Sequence, residues 1–227
     1  MNNLCTSSET YPIEINDIIA LPDSPTASQN QPFKGVVVLL GNLQQNIPDT
    51  LLCGRDLLEK ALQEGQQYIP VKFAFKNTVK KYNLITPLIK KLRSKYKIWS
   101  SNIYHISPFE IRKMKIERSF RDKDTAYTFT NPKYRRSDKQ RRKRYNALYN
   151  SLKRGYKDKY PIEIMLLRML GTKDTVNNGH HRIGIALECG LTRIAVRFSA
   201  AGQAPRLLQP LLKIIADIAI RHKQRKP

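Results

Sequence analysis

Apolar residues along the chain come in short runs separated by glycine, proline and polar clusters. None approaches the roughly 18–20 residues needed to span a bilayer. Gly35-Val-Val-Val-Leu-Leu-Gly41 is a continuous apolar run closed by glycines, the pattern of a buried strand. Residues 48–64 read as a helix: Asp49 or Thr50 can cap it, Leu51, Leu52, Leu58 and Leu62 supply an apolar stripe, and Gly65 ends it. Tyr68 to Phe75 alternates and predicts a second strand. A further helix is expected from Asn77 to about Tyr96, interrupted at Pro87, whose ring and missing N–H break the helical ladder.

Beyond Asn102 the pattern changes. Ile103-Tyr-His-Ile106 is strand-like, and Ser107-Pro-Phe-Glu is a helix start. Residues 112–144 are polar and basic without apolar period, so most of that span reads as loop or short irregular structure. Tyr145, Leu148, Tyr149 and Leu152 then fall on one helical face, with Gly155 placed to close the helix. Tyr160 to Leu167 is strand-like, with Pro161 at its start where a missing N–H is tolerated. A hairpin-length connection, Met169 to Thr175, leads to a turn. Ile183, Ala186 and Leu187 mark a short helix that Gly190 ends, and Arg193 to Phe198 reads as a half-buried strand. A last helix is expected from Pro205 to His222, followed by a frayed basic tail. Residues 22–32 read as a linker, and no internal repeat is expected. Together these elements predict an α/β or α+β protein. Residues 1–100 form an N-terminal α/β extension of unknown role, 101–200 a small mixed sheet with flanking helices, and 201–227 a C-terminal helix and tail.

Charge sharpens this division. The 227 residues carry 41 Lys and Arg against 18 Asp and Glu, a net +23. Met1 to Val71 holds three basic and eight acidic residues, so the remainder from Lys72 to Pro227 carries +28. A field of that sign attracts polyanions, which makes nucleic acid, an anionic surface or a phosphorylated molecule the expected partner. The three cysteines, Cys5, Cys53 and Cys189, have neither metal-ligand spacing nor a disulfide framework, and no metal is expected. The first residues lack a basic start followed by an apolar core, so a cytoplasmic, soluble protein is expected.

The segment Asn178-Gly-His-His-Arg182 carries the chemistry that pattern alone suggests. Asn178 can cap a helix, and Gly179 lets backbone approach a ligand closely. The free N–H groups and dipole of the helix start attract an anion. Arg182 offers a planar, permanently charged fork, and His180 and His181 add donors that titrate near neutrality. An ordinary Asn-Gly turn into a surface helix is the bland alternative. A second candidate is the basic run Arg135, Arg136, Lys139, Arg141, Arg142, Lys143 and Arg144, flanked by Tyr134 and Tyr145. Lys and Arg at that density contact phosphates without reading sequence, unless they merely solvate a surface.

From Ile103 to Phe198 the chain resembles the ParB/sulfiredoxin superfamily. The likeness lies in IYHISPFEIR, in YNALYNSLKRGYKDKYPIEI, and in TVNNGHHRIGIALECG followed by LTRIAVRF. The resemblance implies that Asn178, Gly179, His180, His181 and Arg182 bind nucleotide phosphates, with a nucleoside triphosphate and Mg²⁺ as cofactor. It implies association with nucleic acid and nuclease or NTPase activity. An alternative is an ATP-dependent phosphotransferase acting on a small metabolite or sugar, with Glu110 as base. Glu110 and His181 are the catalytic candidates. Many members carry Asp where this chain has Asn178, which opens a third reading: a noncatalytic regulatory module.

Overall fold

The computed structural model describes residues 4–25, 34–76, 97–114, 138–167 and 173–200, with positions 210, 211 and 214. The architecture is mixed α+β, with two small sheets that share one core. The first sheet holds β1 (Leu4–Thr6), β2 (Tyr11–Glu14), β3 (Val36–Leu39), β4 (Thr50–Cys53) and β5 (Tyr68–Lys76). At its centre β5 runs parallel to β3 and antiparallel to β1 and β2, and β4 is antiparallel to β3. The second sheet holds β6 (Ile98–Trp99), β7 (Tyr104–Ile106), β8 (Ile162–Leu166), β9 (Thr175–Asn178) and β10 (Ile194–Ala200). Here β10 runs parallel to β8 and antiparallel to β6 and β7, and β9 is antiparallel to β8. The two sheets therefore have the same strand order and the same directions. Helices α1 (Asn16–Ile19) and α2 (Arg55–Gln63) accompany the first sheet. The second has α3 (Pro108–Lys113), α4 (Asp138–Leu152) and α5 (His180–Glu188).

The shared topology is an internal repeat, contrary to the expectation from the sequence. Asp49 and Asp174, Thr50 and Thr175, Gly54 and Gly179, Ala61 and Ala186, and Gly65 and Gly190 are each 125 residues apart. The same spacing pairs Ile69, Val71 and Phe73 with Ile194, Val196 and Phe198 on the two central strands. A second block, Ser7-Ser8 with Tyr11 and Ile13, recurs as Ser100-Ser101 with Tyr104 and Ile106.

Each repeat completes the other. Asp49 and Asp174 are both fully buried. In its own repeat Asp49 Oδ1 accepts from Gly41 N at 2.7 Å, and Asp174 Oδ1 accepts from Leu167 N at 2.9 Å. Every other bond crosses between repeats. Asp49 accepts from the N–H groups of Ser101 and Asn102, each at 3.1 Å, and from the Tyr104 hydroxyl at 2.7 Å. Asp174 accepts from the N–H groups of Ser8 and Glu9 at 3.1 and 3.2 Å, and from the Tyr11 hydroxyl at 2.7 Å. Four donors per carboxylate match its roughly four lone-pair positions. Both tyrosines are held protonated, first by burial and then by the adjacent carboxylate. Between the two latches Phe73 stacks on Phe198, with ring centres 3.8 Å apart. Tyr11 meets Phe198 edge-on at 4.8 Å, and Tyr104 meets Phe73 at 5.0 Å. The pattern is that of a pseudo-two-fold axis through the phenylalanine pair.

Two expected elements change. The helix read over 48–64 begins only at Arg55, because Thr50–Cys53 pairs with β3 and Gly54 turns the chain at φ 93°. Leu51 faces the main core and Leu52 the opposite face, so the strand is apolar on both sides and its alternation is hidden. The basic span before Tyr145 is helical from Asp138, not irregular. The expected helix over 77–96 lies outside the described residues, as does most of that over 205–222.

Replacing Asp49 or Asp174 by Ala strips a carboxylate from four buried donors. Each substitution is expected to cost about 3–5 kcal/mol, and Tyr104→Phe about 1–3 kcal/mol. Urea denaturation of the variants measures both. A loss below about 1 kcal/mol for either aspartate would show that the latch is not what joins the repeats.

Candidate functional site

The turn at 178–182 is built by β9 and α5. At Gly179 the backbone adopts φ 94° and caps α5. A Cβ there would lie 2.9 Å from Ile162 Cγ1 and 3.2 Å from Ile162 Cα. Gly54 repeats the geometry, with φ 93° and a Cβ position 2.8 Å from Val36 Cα. Because both repeats need glycine to pass close over a strand, Gly179 is accounted for by packing alone. What distinguishes the second repeat is His180-His181-Arg182 where the first has Arg55-Asp56-Leu57.

The Arg182 fork is turned away from the role expected of it. Arg182 Nη1 donates to the carbonyls of Tyr160 at 2.6 Å and Pro161 at 3.2 Å. The guanidinium also bonds the Tyr156 hydroxyl and lies 5.9 Å from the Tyr160 ring centre. It clamps the loop entering β8, whose carbonyls precede the first rung of the sheet, so the expected phosphate fork is a brace. Asn178 is exposed at the end of β9. The His180 and His181 rings are 4.3 Å apart, and burial, then the charge of His181, pushes the His180 imidazole below its usual range. Near neutral pH His180 therefore adds no fixed positive charge. Glu110 sits in the first turn of α3 as an exposed carboxylate, paired with Lys113 Nζ at 2.7 Å.

The basic run lies mostly on α4. Arg135 and Arg136 lie outside the described residues, as do the side chains of Lys139, Arg141, Arg142 and Arg144, while Lys143 is exposed. The helix that carries the run docks on α5 through a hydrogen bond from the Tyr145 hydroxyl to Glu188 Oε2. That contact sits at the far end of α5 from the Gly179 turn. Burial, then Glu188, pushes the Tyr145 hydroxyl up to about 12.

Comparing the repeats exposes residues that sequence reasoning missed. On the face of the first sheet away from the shared core, Val37, Leu39, Leu52 and Ala74 form a small apolar cluster, with Leu4 and Cys53 against it. By strand register and spacing, their counterparts are Glu163, Met165, Asn177, Ser199, Lys97 and Asn178. All but Met165 are polar. Lys97 Nζ pairs with Glu163 Oε1, which also accepts from Ser199 Oγ at 2.8 Å. The Lys97 ammonium lies 3.8 Å from the Trp99 ring centre. The signal in the sequence was Glu163 within IEIML, and Arg197 and Ser199 two apart within IAVRFSA, where the first repeat's VVVL is uniformly apolar.

A second charged cluster joins the repeats at one edge. His105 Nδ1 lies 3.0 Å from Asp17 Oδ1 and its Nε2 3.1 Å from Asp158 Oδ1. Glu14 stands beside them, paired with Arg193 Nε at 3.0 Å. Ligand atoms of Glu14, Asp17 and His105 lie within 4.8 Å of one another, a spacing a metal ion can span. Each of these groups is nonetheless already engaged: both imidazole nitrogens face carboxylates, and Glu14 is neutralised by Arg193. Burial pulls the His105 imidazole down, but the hydrogen bonds to Asp17 and Asp158 outweigh it, and the net shift is upward from 6.5.

The raised value sets a sign for pH dependence. Stabilisation from charged His105 is full below about pH 6.5 and fades as pH rises through the higher folded-state value. Denaturation midpoints measured across that window should fall in the wild type and stay flatter in His105→Gln. Parallel slopes would mean that the imidazolium is not held by its two carboxylates. No protein-family model, curated protein or solved structure matches the chain.

Proposed function

We propose that the chain is a ParB/sulfiredoxin-like protein, doubled within one polypeptide, whose second repeat binds phosphate and associates with nucleic acid. One observation carries the reading: two repeats of one topology differ in charge, with −3 on residues 4–76 and +15 on residues 97–200. A fold that works with a weakly acidic first copy does not need that excess, so it is available for a polyanion. The basic run lies on α4, which rests on α5 of the second repeat.

The catalytic alternatives draw less from the geometry. Phosphoryl transfer or nucleotide hydrolysis needs a positioned base and a cationic clamp on the transferring group. Glu110 is ion-paired at the surface and Arg182 is spent on carbonyls. A noncatalytic binding module is the reading these two facts favour.

Retention of nucleic acid by the full chain should fall steeply as salt rises. Changing Arg141, Arg142, Lys143 and Arg144 together to Ala should weaken binding and flatten the log K against log salt plot, by up to about 3 for a single strand. Fluorescence anisotropy with labelled oligonucleotides reads both. Binding indifferent to salt and to these substitutions would remove the nucleic-acid reading.

A further inference from the structure

We propose that the loop from Lys153 to Tyr160 is a contact site for single-stranded nucleic acid, with its exposed cations on phosphates and the Tyr160 ring against a base. The proposal rests on the nucleic-acid reading above and names where and in what form the strand is held.

The loop follows the basic helix α4 and leads into β8. Lys153, Arg154, Lys157 and Lys159 are all exposed. The one acidic residue among them, Asp158, is engaged by His105 Nε2 at 3.1 Å, so the loop keeps a surplus of positive charge open to solvent. Lysine and arginine at that density contact phosphates without reading sequence. The exposed Lys143 lies ten residues before Lys153, about 15 Å along α4. The basic run and the loop are thus within reach of one short strand.

The aromatic stands at the end of the loop. Tyr160 is 52% exposed, yet its backbone is held fast. Its carbonyl accepts from Arg182 Nη1 at 2.6 Å and from the Tyr156 hydroxyl at 2.9 Å. The Lys159 ammonium and the Arg182 guanidinium lie 5.8 and 5.9 Å from the ring centre. A clamped backbone under an open ring is a preorganised stacking surface, because the ordering cost is met before a base arrives. Unpaired bases stack on such a ring, whereas a duplex keeps its base faces hidden.

The first repeat supplies the control. It joins α1 to β3 through residues 20–35, whereas the second joins α3 to β8 through residues 114–161. Helix α4 and the loop lie in that added length. The clamp is also particular to the second repeat, since Leu57 stands where Arg182 does. Tyr156 packs against the shared core and accounts for the loop's place in the fold. The exposed cations and the Tyr160 ring are surplus to that packing.

Tyr160→Ala leaves the clamp in place, because Arg182 and Tyr156 bond a carbonyl that every residue carries. By anisotropy with a labelled oligothymidylate, the full-length protein should lose about tenfold in affinity on Tyr160→Ala and keep most of it in Tyr160→Trp. A duplex of equal length should lose less than about twofold on Tyr160→Ala. Lys157→Ala with Lys159→Ala should weaken both ligands and lower the single-strand salt slope by about 1.4. An oligothymidylate carrying iodouracil should photocrosslink to Tyr160, as read by mass spectrometry. A loss in the double lysine variant with none in Tyr160→Ala would overturn the stacking, and with it the preference for single strands. Salt-sensitive binding that all these variants leave within about twofold, with crosslinks elsewhere, would overturn the loop as the site yet leave nucleic-acid binding standing. No binding of any oligonucleotide would overturn both readings together.

Discussion

Two carboxylates buried between the sheets govern this molecule. An ionised carboxylate taken out of water carries a penalty of several kcal/mol unless its lone pairs are met. In each repeat the loop before the glycine turn drives an aspartate inward, and its own repeat offers Asp49 or Asp174 one backbone N–H. The remaining donors, two N–H groups and a tyrosine hydroxyl, come from the other repeat. Neither sheet can bury its aspartate alone. The aromatic quartet of Tyr11, Phe73, Tyr104 and Phe198 fills the space between the two latches, so polar satisfaction and apolar packing set the same interface. Each latch also anchors the loop that leads into Gly54 or Gly179, and so fixes where those two helices start.

Much of the second repeat was legible because its strands are short, apolar and punctuated. The strand entering at Ile162, the helix ending before Gly190 and the strand to Phe198 all followed from periodicity and glycine placement. The first repeat was read less well for a physical reason. Leu51 and Leu52 bury on opposite faces of β4, which erases the alternation that marks a strand and leaves four leucines that mimic a helical stripe. The start of α4 was missed because Asp138 to Arg144 offers no apolar side chain, so no period exists to detect. The repeat itself escaped notice because matching residues are few and spaced along the chain, and the segments between them differ. Asp, Gly, Ala, Gly and Phe at one fixed spacing were enough to find it, had the chain been set against itself.

The repeat changes what counts as a sign of function. A feature present in both copies is most simply a requirement of the fold. Gly54 and Gly179 both pass within a Cβ's breadth of a strand, so the glycine of the Asn-Gly-His-His-Arg segment speaks for packing. The buried aspartates and the aromatic quartet fall on the same side. Arg182 belongs with them in effect, since it braces the carbonyls of Tyr160 and Pro161. Sequence reasoning placed the phosphate on Arg182 because an arginine three residues after a helix-starting glycine has two uses, ligand fork and loop clamp. Only the position of those carbonyls decides between them.

The outer faces of the two sheets differ in the opposite sense. One copy buries leucine, valine and alanine where the other sets a lysine, a glutamate and a serine around a tryptophan. Register makes the consequence unavoidable. The parallel pairing of β8 with β10 puts Glu163 beside Arg197, and the antiparallel pairing of β6 with β10 carries Lys97 to the same carboxylate. Two cations then face one anion, and the shorter reach belongs to Lys97, with Ser199 occupying what remains of that oxygen. Among the described residues Arg197 is left with a buried Nε and no counter-charge. The positive character of this face is thus not a matter of average composition. It follows from three strands delivering unequal numbers of opposite charges to one half-buried place, where water can neither screen the excess well nor satisfy the donor.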